Sequence, residues 1–564
     1  MPFSRRAALA GAALLMAVQP TFALAATKPA AAKTTPAKTT KAPVPKAPAS
    51  DFKPSAAAIK AHMGFLADDL LEGRESGTRG YDIAAHYVAS QYALLGVKPA
   101  GDKGSYLQQV PLTAFRAANE GGVSYAGADG KTGALVFGED YLPSAQARQA
   151  ETKITAPLVF VGFGVVAPEQ GRDDYAGLDV KGKIVVILNG APSGFQTEVR
   201  AHYGNTNTKR VEAAKRGAVG VLTLPTTSSE KNRPFSRGVS GYQDWRMTWN
   251  DAEGVANVRG GSAPSLAGLS PKGGAKLFAG APTSLEDVLA AAEKPEGLVK
   301  GFDLPTNVTV QLKTEIEQRR GSNVVGLIEG SDPTLKAQTI VLSAHLDHLG
   351  VHGKDADKIN NGALDNASGV ATLLEVARGF KEAKTKPKRS IVLLAVTAEE
   401  KGLIGSDYFA NNPTVPKAGI AADVNLDMPV LLYPFQDVIA FGADRSSIGP
   451  AVARAAGRVG IGLSADPMPE EGLFTRSDHY RFVEQGVPSV FLMTGFKNGG
   501  EKGFKDFLAT HYHKPNDDLN QPIDYDAGAR FALVNYEIAR ELADMPVRPS
   551  WNKGDFFGNL FGKK

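Results

Sequence analysis

The sequence predicts an α/β protein whose mixed, mainly parallel sheet is flanked by helices. Short runs that are apolar throughout recur in the second half of the chain, at 340–342, 391–396, 421–426 and 487–493. Between the first two runs, one helix face is marked at positions i, i+3, i+4 and i+7 by Val370, Leu373, Leu374 and Ala377. Strands that are apolar on both faces and alternate with helices are typical of a buried parallel sheet.

The first half of the chain shows a different pattern of predicted helices and strands. Apolar spacing predicts two helices, near 59–71 and 81–95, the second ended by Gly96. Further on, strands are predicted at 158–161, 183–188 and 217–222, with a helix at 210–216. No group of chemically related side chains recurs among these elements. The pattern of the chain changes near Pro143, and the candidate chemistry begins only after Asn307.

The first 50 residues predict an exported protein. Arg5 and Arg6 precede the apolar run 7–18, and small residues follow it at 23–25, which is typical of a signal peptide over residues 1–25. The run is shorter than the about 20 residues that span a membrane, so we expect no span in the mature, periplasmic or secreted protein. Residues 26–50 are almost all Ala, Lys, Thr and Pro, the composition of a flexible linker.

Charge and cysteine content limit the ligands that the protein can bind and the side chains that can hold a metal. The chain of 564 residues has a net charge of +4, but its first 50 residues hold seven Lys or Arg and no acid, so the remainder carries −3. A nearly neutral body gives no electrostatic reason to bind nucleic acid. There are no cysteines, so any metal must be held by His and carboxylates.

Metal-binding side chains follow the ends of the predicted strands. His345, the pair Glu399 and Glu400, and Asp427 each fall just past the end of a predicted strand. Two further candidates are Asp365, at the start of a predicted helix, and His513, in a turn. Because ligand-binding groups of open α/β sheets gather at the carboxyl ends of the strands, we expect these side chains to lie together. Taken singly, each has an ordinary structural role, such as an acid at a helix start. Their joint occurrence after successive strands favours a site.

This set suits a pair of zinc ions, for which imidazole and carboxylate are normal ligands. One carboxylate can bridge the ions, and the water between them becomes a hydroxide nucleophile near neutral pH. A further carboxylate, off the metal, must carry the proton of that water to the leaving amine. The adjacent Glu399 and Glu400 supply one carboxylate of each kind.

Five motifs, in order, resemble the M28 zinc peptidases, which include bacterial leucyl-type aminopeptidases and glutamate carboxypeptidase. They are AHLDH at 344–348, NGALDNASG at 361–369, TAEEKGLIGS at 397–406, NLDM at 425–428 and YHKP at 512–515. TRSDH at 475–479 and GVPS at 486–489 are also similar to that family. The resemblance implies a zinc exopeptidase fold over residues 51–144 and 301–546.

The resemblance also implies a role for each site residue. His345 and Asp427 would hold one zinc, Glu400 and His513 the other, with Asp365 bridging both. Glu399 would act as general base and acid. Asp347 would orient His345, and Tyr512 would donate a hydrogen bond to the oxyanion. A cis peptide bond is implied between Asp365 and Asn366.

Residues 145–300 resemble a protease-associated domain inserted into the peptidase, on the evidence of DYAG at 174–177, the strand at 183–188 and AAKRGA at 213–218. Such a domain would shape access to the cleft or bind substrate; a plain structural insertion is nearly as well supported. Residues 547–564 form a C-terminal tail that we expect to dock on the body or on a partner.

The sequence thus predicts a dinuclear zinc aminopeptidase that acts on peptides. A carboxypeptidase or dipeptidase with the same metal chemistry is the main alternative, although the sequence does not locate arginines for a substrate carboxylate beyond Arg476 as one contact. The complete ligand set counts against a glutaminyl cyclase with a single zinc. It also counts against a binding protein without catalysis, which would be expected to lose ligands or the base.

Overall fold

A computed structural model describes residues 50–127, 130–259, 261–353 and 356–562. The predicted signal peptide and residues 26–49 of the predicted linker lie outside the described residues. Within the described ranges, no helix is both long and apolar enough to cross a membrane.

The strands, numbered in chain order, divide between two large sheets and two short hairpins. They are β1 Lys98–Pro99, β2 Leu107–Ala117, β3 Gly122–Gly127, β4 Thr132–Ala134, β5 Tyr141–Pro143, β6 Glu151–Phe160, β7 Val166–Ala167, β8 Arg172–Asp173, β9 Ile184–Leu188, β10 Gly220–Leu224, β11 Arg246–Trp249, β12 Ser265–Leu269, β13 Phe302–Ile328, β14 Thr339–His345, β15 Gly350–Val351, β16 Ile359–Asn360, β17 Ser390–Val396, β18 Ile420–Leu426, β19 Asp437–Phe441, β20 Gly462–Ser464 and β21 Ser489–Thr494.

The α-helices cover the sheets and fill the connections. They are α1 Ala56–Leu66, α2 Arg79–Leu94, α3 Thr197–Gly204, α4 Thr206–Lys215, α5 Thr227–Asn232, α6 Pro271–Leu277, α7 Leu285–Ala292, α8 Ser368–Glu382, α9 Ile404–Asn411, α10 Ile448–Arg458, α11 His479–Val483, α12 Gly500–Thr510, α13 Tyr525–Asp544 and α14 Phe556–Phe561.

The first sheet has four neighbouring parallel strands at its centre, in the order β17, β14, β18, β21. Antiparallel strands extend it on both sides: β13, β2 and β11 beside β17, and β19 beside β21. The four apolar runs of the second half form the four central strands. The predicted mixed, mainly parallel sheet flanked by helices is therefore confirmed.

Alternate side chains of the central strands enter two different apolar layers. Ile340 and Leu342 pack into the layer that contains α8 and α13, whereas Val341 packs into the opposite layer with Phe409 of α9 and Phe482 of α11. All seven residues of β14 are buried. This double burial explains why the strand sequences are apolar throughout and do not alternate with polar residues.

The second sheet lies mainly within the predicted insertion. Its strands run in the order β4, β3, β13, β6, β9, β10, β12, β5, and β6, β9, β10 and β12 are parallel. Four strands depart from the predicted bounds of 145–300. β3, β4 and β5 precede residue 145 but join the second sheet, and β11 lies inside the bounds but pairs with β2 of the first sheet. The assignment of a protease-associated domain stays a prediction.

β13 is shared by the two sheets. Its first half, 302–313, pairs with β3 and β6, and its second half, 314–328, pairs with β2 and β17. One continuous strand therefore passes from the second sheet to the first.

The C-terminal helix α14 packs where the insertion meets the peptidase. Phe557 is fully buried, and its ring contacts those of Phe474 and Tyr480. Arg445 forms ion pairs with Glu198 of α3 and with Asp555, which caps α14. The part of the predicted tail up to residue 562 therefore docks on the body of this chain.

Candidate active site

The strand order brings three of the candidate positions to one edge of the first sheet. His345 is the last residue of β14, and Asp427 directly follows β18, its neighbour on one side. Glu399 and Glu400 follow β17, its neighbour on the other side. Because these three strands are parallel, their carboxyl ends meet at the same edge.

The loop before α8 carries Asp365 and is held from two sides. The Asp517 carboxylate accepts hydrogen bonds from the main-chain N–H groups of Leu364 and Asp365, both at 3.0 Å. Asn366 donates to the carbonyl oxygen of Leu426, at the end of β18, at 2.9 Å. A Cβ atom on Gly369 would lie 2.5 Å from the same carbonyl oxygen, so only glycine permits this approach. The Asp365–Asn366 peptide bond is cis, as the resemblance implies.

His513 reaches the site from the turn that follows α12. Its backbone lies in the left-handed region with φ of 57°, which is uncommon for a residue other than glycine. Its ring stacks on that of Tyr512, with centroids 3.8 Å apart. The side chain is 37% exposed, whereas that of His345 is 1% exposed. The site is therefore open to solvent on the His513 side.

The two oxygens of the Asp365 carboxylate face two different groups of donors. Oδ1 lies 3.3 Å from Nε2 of His345, which in turn lies 3.0 Å from Oδ1 of Asp427. Oδ2 lies 3.3 Å from Nε2 of His513, which lies 3.3 Å from Oε2 of Glu400. The five predicted ligands therefore come together, with Asp365 between the two pairs.

These separations fit zinc. Two ligands of a tetrahedral zinc, each about 2.0 Å from the ion, lie about 3.3 Å apart. Donor atoms of His345, Asp365 and Glu400 also lie within 4.8 Å of one another and could hold a metal ion. Imidazole and carboxylate are the donors that remain for zinc in a chain without cysteine.

Glu399 lies beside the donors but outside the two pairs. It lines the same cavity as the five predicted ligands. Burial raises the pKa of Glu399 well above its ordinary value, and the neighbouring Glu400 carboxylate adds to this effect. The pKa of the adjacent Glu400 is shifted in the opposite direction. Burial acts to raise it, but hydrogen bonds with His348 and His513 lower the pKa of Glu400 to about 2.

Asp347 contacts His345 in a different way from the one implied. Nδ1 of His345 lies 3.1 Å from the main-chain carbonyl oxygen of Asp347, not from its carboxylate. The carboxylate instead accepts hydrogen bonds from the main-chain N–H groups of Glu399 and Glu400, at 3.0 and 3.3 Å. The reason is local geometry: the side chain turns towards the loop after β17, where two free N–H groups are available. Asp347 therefore fixes the glutamate loop as well as the imidazole.

Sequence analysis missed two contacts of the site. His348 is fully buried, and its Nδ1 lies 2.8 Å from Oε1 of Glu400. Ser477 donates to Oδ2 of Asp427 at 2.5 Å. Both residues lie in motifs that carry the resemblance, AHLDH and TRSDH, and membership of those motifs is the sequence signal for them.

Arg74 is a buried cation behind the site, also missed by sequence analysis. Its guanidinium donates to the carbonyl oxygens of Leu346 at 2.9 Å, Asn361 at 2.6 Å and Gly362 at 3.1 Å. It therefore ties the loop after β14 to the loop that carries Asp365. Burial lowers the pKa of Arg74 to about 10, although nearby carboxylates such as that of Asp347 oppose the shift. Arg74 stays charged and balances part of the negative charge of the site.

A cavity of about 250 Å³ opens beside the donors. Its wall away from the donors is mainly apolar and consists of Met428, Met468, Leu473, Phe491, Met493, Phe504 and Leu508. Tyr512 also lines the cavity, and Arg476 and Glu471 lie at its polar part. A cavity with a charged side and an apolar side is suited to one apolar side chain next to a polar reacting group.

Comparison with known proteins agrees with the geometry. Residues 323–539 match the sequence profile of peptidase family M28. A probable zinc metalloprotease of Pyricularia oryzae is 26% identical over 62% of this chain and 67% of its own length. A probable leucine aminopeptidase 2 of Aspergillus fumigatus is 24% identical over 73% of this chain and 72% of its own.

Among solved structures, an aminopeptidase from Aneurinibacillus sp. strain AM-1 superimposes with a TM-score of 0.50. It is 20% identical, and the match covers 88% of this chain and 95% of that one. This likeness supports the fold.

The fold and the donor cluster together define a hydrolase of the metallopeptidase class. Residues 323–539 are similar to peptidase family M28, and this matched segment contains all five predicted ligands.

Proposed function

We propose that this peptidase is an exported aminopeptidase that holds two zinc ions. The observation that supports two ions best is the position of Asp365, whose two carboxylate oxygens each lie 3.3 Å from a different histidine. In this proposal His345 and Asp427 hold one ion, and Glu400 and His513 hold the other. Asp365 is a ligand of both.

Zinc bound there supplies a Lewis acid for the scissile carbonyl and lowers the pKa of bound water towards neutrality. The chain's own residues move the proton and orient the substrate. Glu399 accepts the proton of the attacking water and delivers it to the leaving amine, a role supported by its place in the cavity outside the two ligand pairs. Tyr512 donates a hydrogen bond to the oxygen that becomes negatively charged on the substrate.

The substrate we propose is a peptide whose first residue is apolar and bulky. The cavity beside the donors offers methionine, leucine and phenylalanine side chains to that residue. Burial of a leucine-sized side chain there contributes about 1.5–3 kcal/mol to binding. The name of the Aspergillus fumigatus relative, a probable leucine aminopeptidase, supports the same class of substrate.

Export and the nature of the insertion are further parts of the proposal. The charged, apolar and small-residue segments of 1–25 support a signal peptide, and release into the periplasm or the medium follows from it. For residues 145–300 we propose a protease-associated domain that shapes access to the cleft.

A dipeptidase or carboxypeptidase of the same chemistry is the second candidate. It is favoured by one observation: arginine side chains line a second cavity that also includes Glu400 in its wall.

The test combines metal analysis with two substrates. Purified protein should contain two zinc ions per chain, hydrolyse leucine p-nitroanilide and leave its N-acetylated form intact, because an aminopeptidase requires the free amine. Removal of zinc with a chelator should abolish turnover, and added zinc should restore it. Two zinc ions without cleavage of the free-amine substrate would move the assignment to the second candidate. One zinc ion or none would contradict the dinuclear site.

A further inference from the structure

Buried polar side chains form a row through the first sheet that ends at the proposed metal site. Asp423, Asn425 and Asp427 alternate with apolar residues along β18 and the position after it, so they lie on one face of the strand. Ser343 of β14 is the pairing partner of Asn425. Asp423, Asn425 and Ser343 are fully buried. Because a buried polar group costs free energy unless it is hydrogen-bonded, each contact of this row has a defined donor and acceptor.

Four contacts connect these side chains in order. Oγ of Ser343 lies 2.9 Å from Oδ1 of Asp423 and 3.1 Å from Oδ1 of Asn425. Nδ2 of Asn425 lies 2.6 Å from Oγ of Ser477, and that hydroxyl lies 2.5 Å from Oδ2 of Asp427. We call the five residues from Asp423 to Asp427 through these contacts the polar row.

The direction of each hydrogen bond follows from the metal end of the polar row. A carboxylate that binds a metal is ionised and has no hydrogen, so the hydroxyl of Ser477 donates to Asp427. A hydroxyl has one hydrogen, and Ser477 therefore accepts a hydrogen bond from the amide N–H of Asn425. The amide oxygen of Asn425 then faces Ser343, whose hydroxyl donates to it.

Asp423 is the donor at the other end of the polar row. The single hydrogen of the Ser343 hydroxyl is directed to Asn425, so the contact of 2.9 Å with Asp423 requires a hydrogen on the carboxyl group. Among the described residues, Oδ2 of Asp423 has no hydrogen-bond partner, which an ionised carboxylate in this position would need. Burial raises the pKa of Asp423 well above its usual range, and the Asp478 carboxylate adds to this effect.

We infer that Asp423 is a protonated donor and that the polar row which it begins orients the Asp427 carboxylate towards the metal. The direction of the row depends on Asp427 as a metal ligand and therefore rests on the proposed function. Ser477 holds Oδ2 of Asp427, and Oδ1 is thereby turned to Nε2 of His345, at 3.0 Å. The members of the row behind Ser477 act through it and are positioning residues.

Zinc affinity tests the orienting role. D423L replaces the carboxyl group by an apolar side chain with the same branching, and S343A removes the hydroxyl, so either variant interrupts the polar row. Each should weaken the binding of one of the two zinc ions by about 10–100-fold, the usual effect of losing a group that holds a metal ligand. Titration of the metal-free protein with zinc against a chromophoric chelator measures both affinities without turnover. D423N keeps an N–H donor and should bind both ions as wild type does.

S390A is the matched control for the loss of a buried hydroxyl. Ser390 is buried at the start of β17, the neighbour of β14, and its hydroxyl donates to the carbonyl oxygen of Lys336 at 2.8 Å. It makes no contact with the polar row, so S390A should keep wild-type zinc affinities. Urea unfolding of each metal-free variant shows whether it is folded. S343A and D423N still test the row if D423L does not fold.

Infrared spectroscopy tests the proton on Asp423. A protonated carboxyl group and an ionised carboxylate absorb in separate regions of the spectrum. The difference spectrum of the zinc-loaded wild type minus zinc-loaded D423N at pH 7 should contain the C=O stretching band of a protonated carboxyl group. A difference spectrum with the bands of an ionised carboxylate instead would overturn the assignment of Asp423 as a donor.

Wild-type zinc affinities in both D423L and S343A would overturn the orienting role, as would an equal loss of affinity in S390A. A loss in D423N as large as that in D423L would show that the direction of the row is wrong. Failure of the proposed function gives a different result, because the wild type itself would then bind fewer than two zinc ions.

Discussion

At the scale of single residues, the site depends on two adjacent glutamates with different partners. Glu400 is held by His348 at 2.8 Å and by His513 at 3.3 Å. Glu399 takes part in neither of these imidazole contacts, and it faces the cavity. Neighbours in sequence are thereby separated into a proposed ligand and a proposed base.

The variant E399Q tests the base. Glutamine keeps the size of the side chain but cannot accept a proton, so kcat should fall by about 10²–10⁴-fold. Zinc content, measured by elemental analysis, should stay at the wild-type value. E471Q is the matched control, since Glu471 lines the same cavity at its polar part, and its kcat should stay close to wild type. Undiminished turnover in E399Q would remove Glu399 from the proton transfer.

Two aspartates should differ in the number of zinc ions that they hold. D365A should lower the zinc content from two ions per chain towards none, because both proposed sites lose a ligand. D427A should lower it only towards one, because Asp427 faces His345 alone among the histidines of the site. Elemental analysis after dialysis measures both. Equal losses in the two variants would contradict the bridging role.

Lys209 should make stability depend on pH. Its buried ammonium donates to the carbonyl oxygens of Leu188 and Gly190, and burial lowers the pKa of Lys209 to about 7. An unfolded lysine has a pKa near 10.4, so between about pH 7 and 10 the unfolded chain binds more protons than the folded one. The contribution of Lys209 to the free energy of unfolding therefore rises with pH in that window, by at most about 1.4 kcal/mol per unit.

Urea unfolding of wild type and K209M at pH 7, 8 and 9 measures this contribution. The free energy of unfolding of wild type should rise relative to that of K209M as the pH increases. A difference that stays constant across the three pH values would show that Lys209 keeps its ordinary pKa.

At the scale of elements, α14 joins three parts of the fold. Besides Phe474 and Tyr480 of the peptidase, its aromatic residues meet His202 of α3, whose Nδ1 lies 2.8 Å from the hydroxyl of Tyr480. Phe474 belongs to the segment that also supplies Leu473 to the apolar cavity. The helix therefore supports one wall of that cavity from behind.

Truncation of the anchor should weaken this support. F557A should lower the free energy of unfolding by about 3–5 kcal/mol, as removal of a buried phenylalanine usually does. Because Leu473 is held only indirectly, KM for leucine p-nitroanilide should rise more than kcat falls. The control is L560A, which removes an exposed leucine of the same helix and should leave both unfolding and kinetics nearly unchanged. Equal unfolding midpoints for F557A and L560A would show that α14 is only loosely attached.

At the scale of the whole molecule, the sequence predicted the parts that local pattern controls. The four buried strands follow from runs such as 391–396, and the convergence of His345 and Asp427 follows from the placement of strand ends. Contacts between residues far apart in the chain could not be predicted from the local sequence pattern. Arg74 lies 272 positions from Leu346, whose carbonyl oxygen it binds, and no periodicity connects the two. The same holds for β11, which pairs with β2 across more than 120 residues.

The shared strand leads to a prediction for unfolding. Since β13 hydrogen-bonds in both sheets, melting of one sheet removes partners from the other. Scanning calorimetry of the purified protein should therefore show one main transition, with calorimetric and van't Hoff enthalpies in agreement. Two well-separated transitions would mean that the insertion unfolds on its own.

The length of β13 also fixes the register between the two sheets. Successive side chains of a strand point to opposite faces, so one residue added between 313 and 314 would turn over every side chain on one side of the addition. The buried valines at 308 and 310 could keep their places only if those at 324 and 325 exchanged theirs. Two added residues would preserve the faces but slide the insertion by about 7 Å along the peptidase. The number of residues along this strand therefore fixes the position of the second sheet relative to the first.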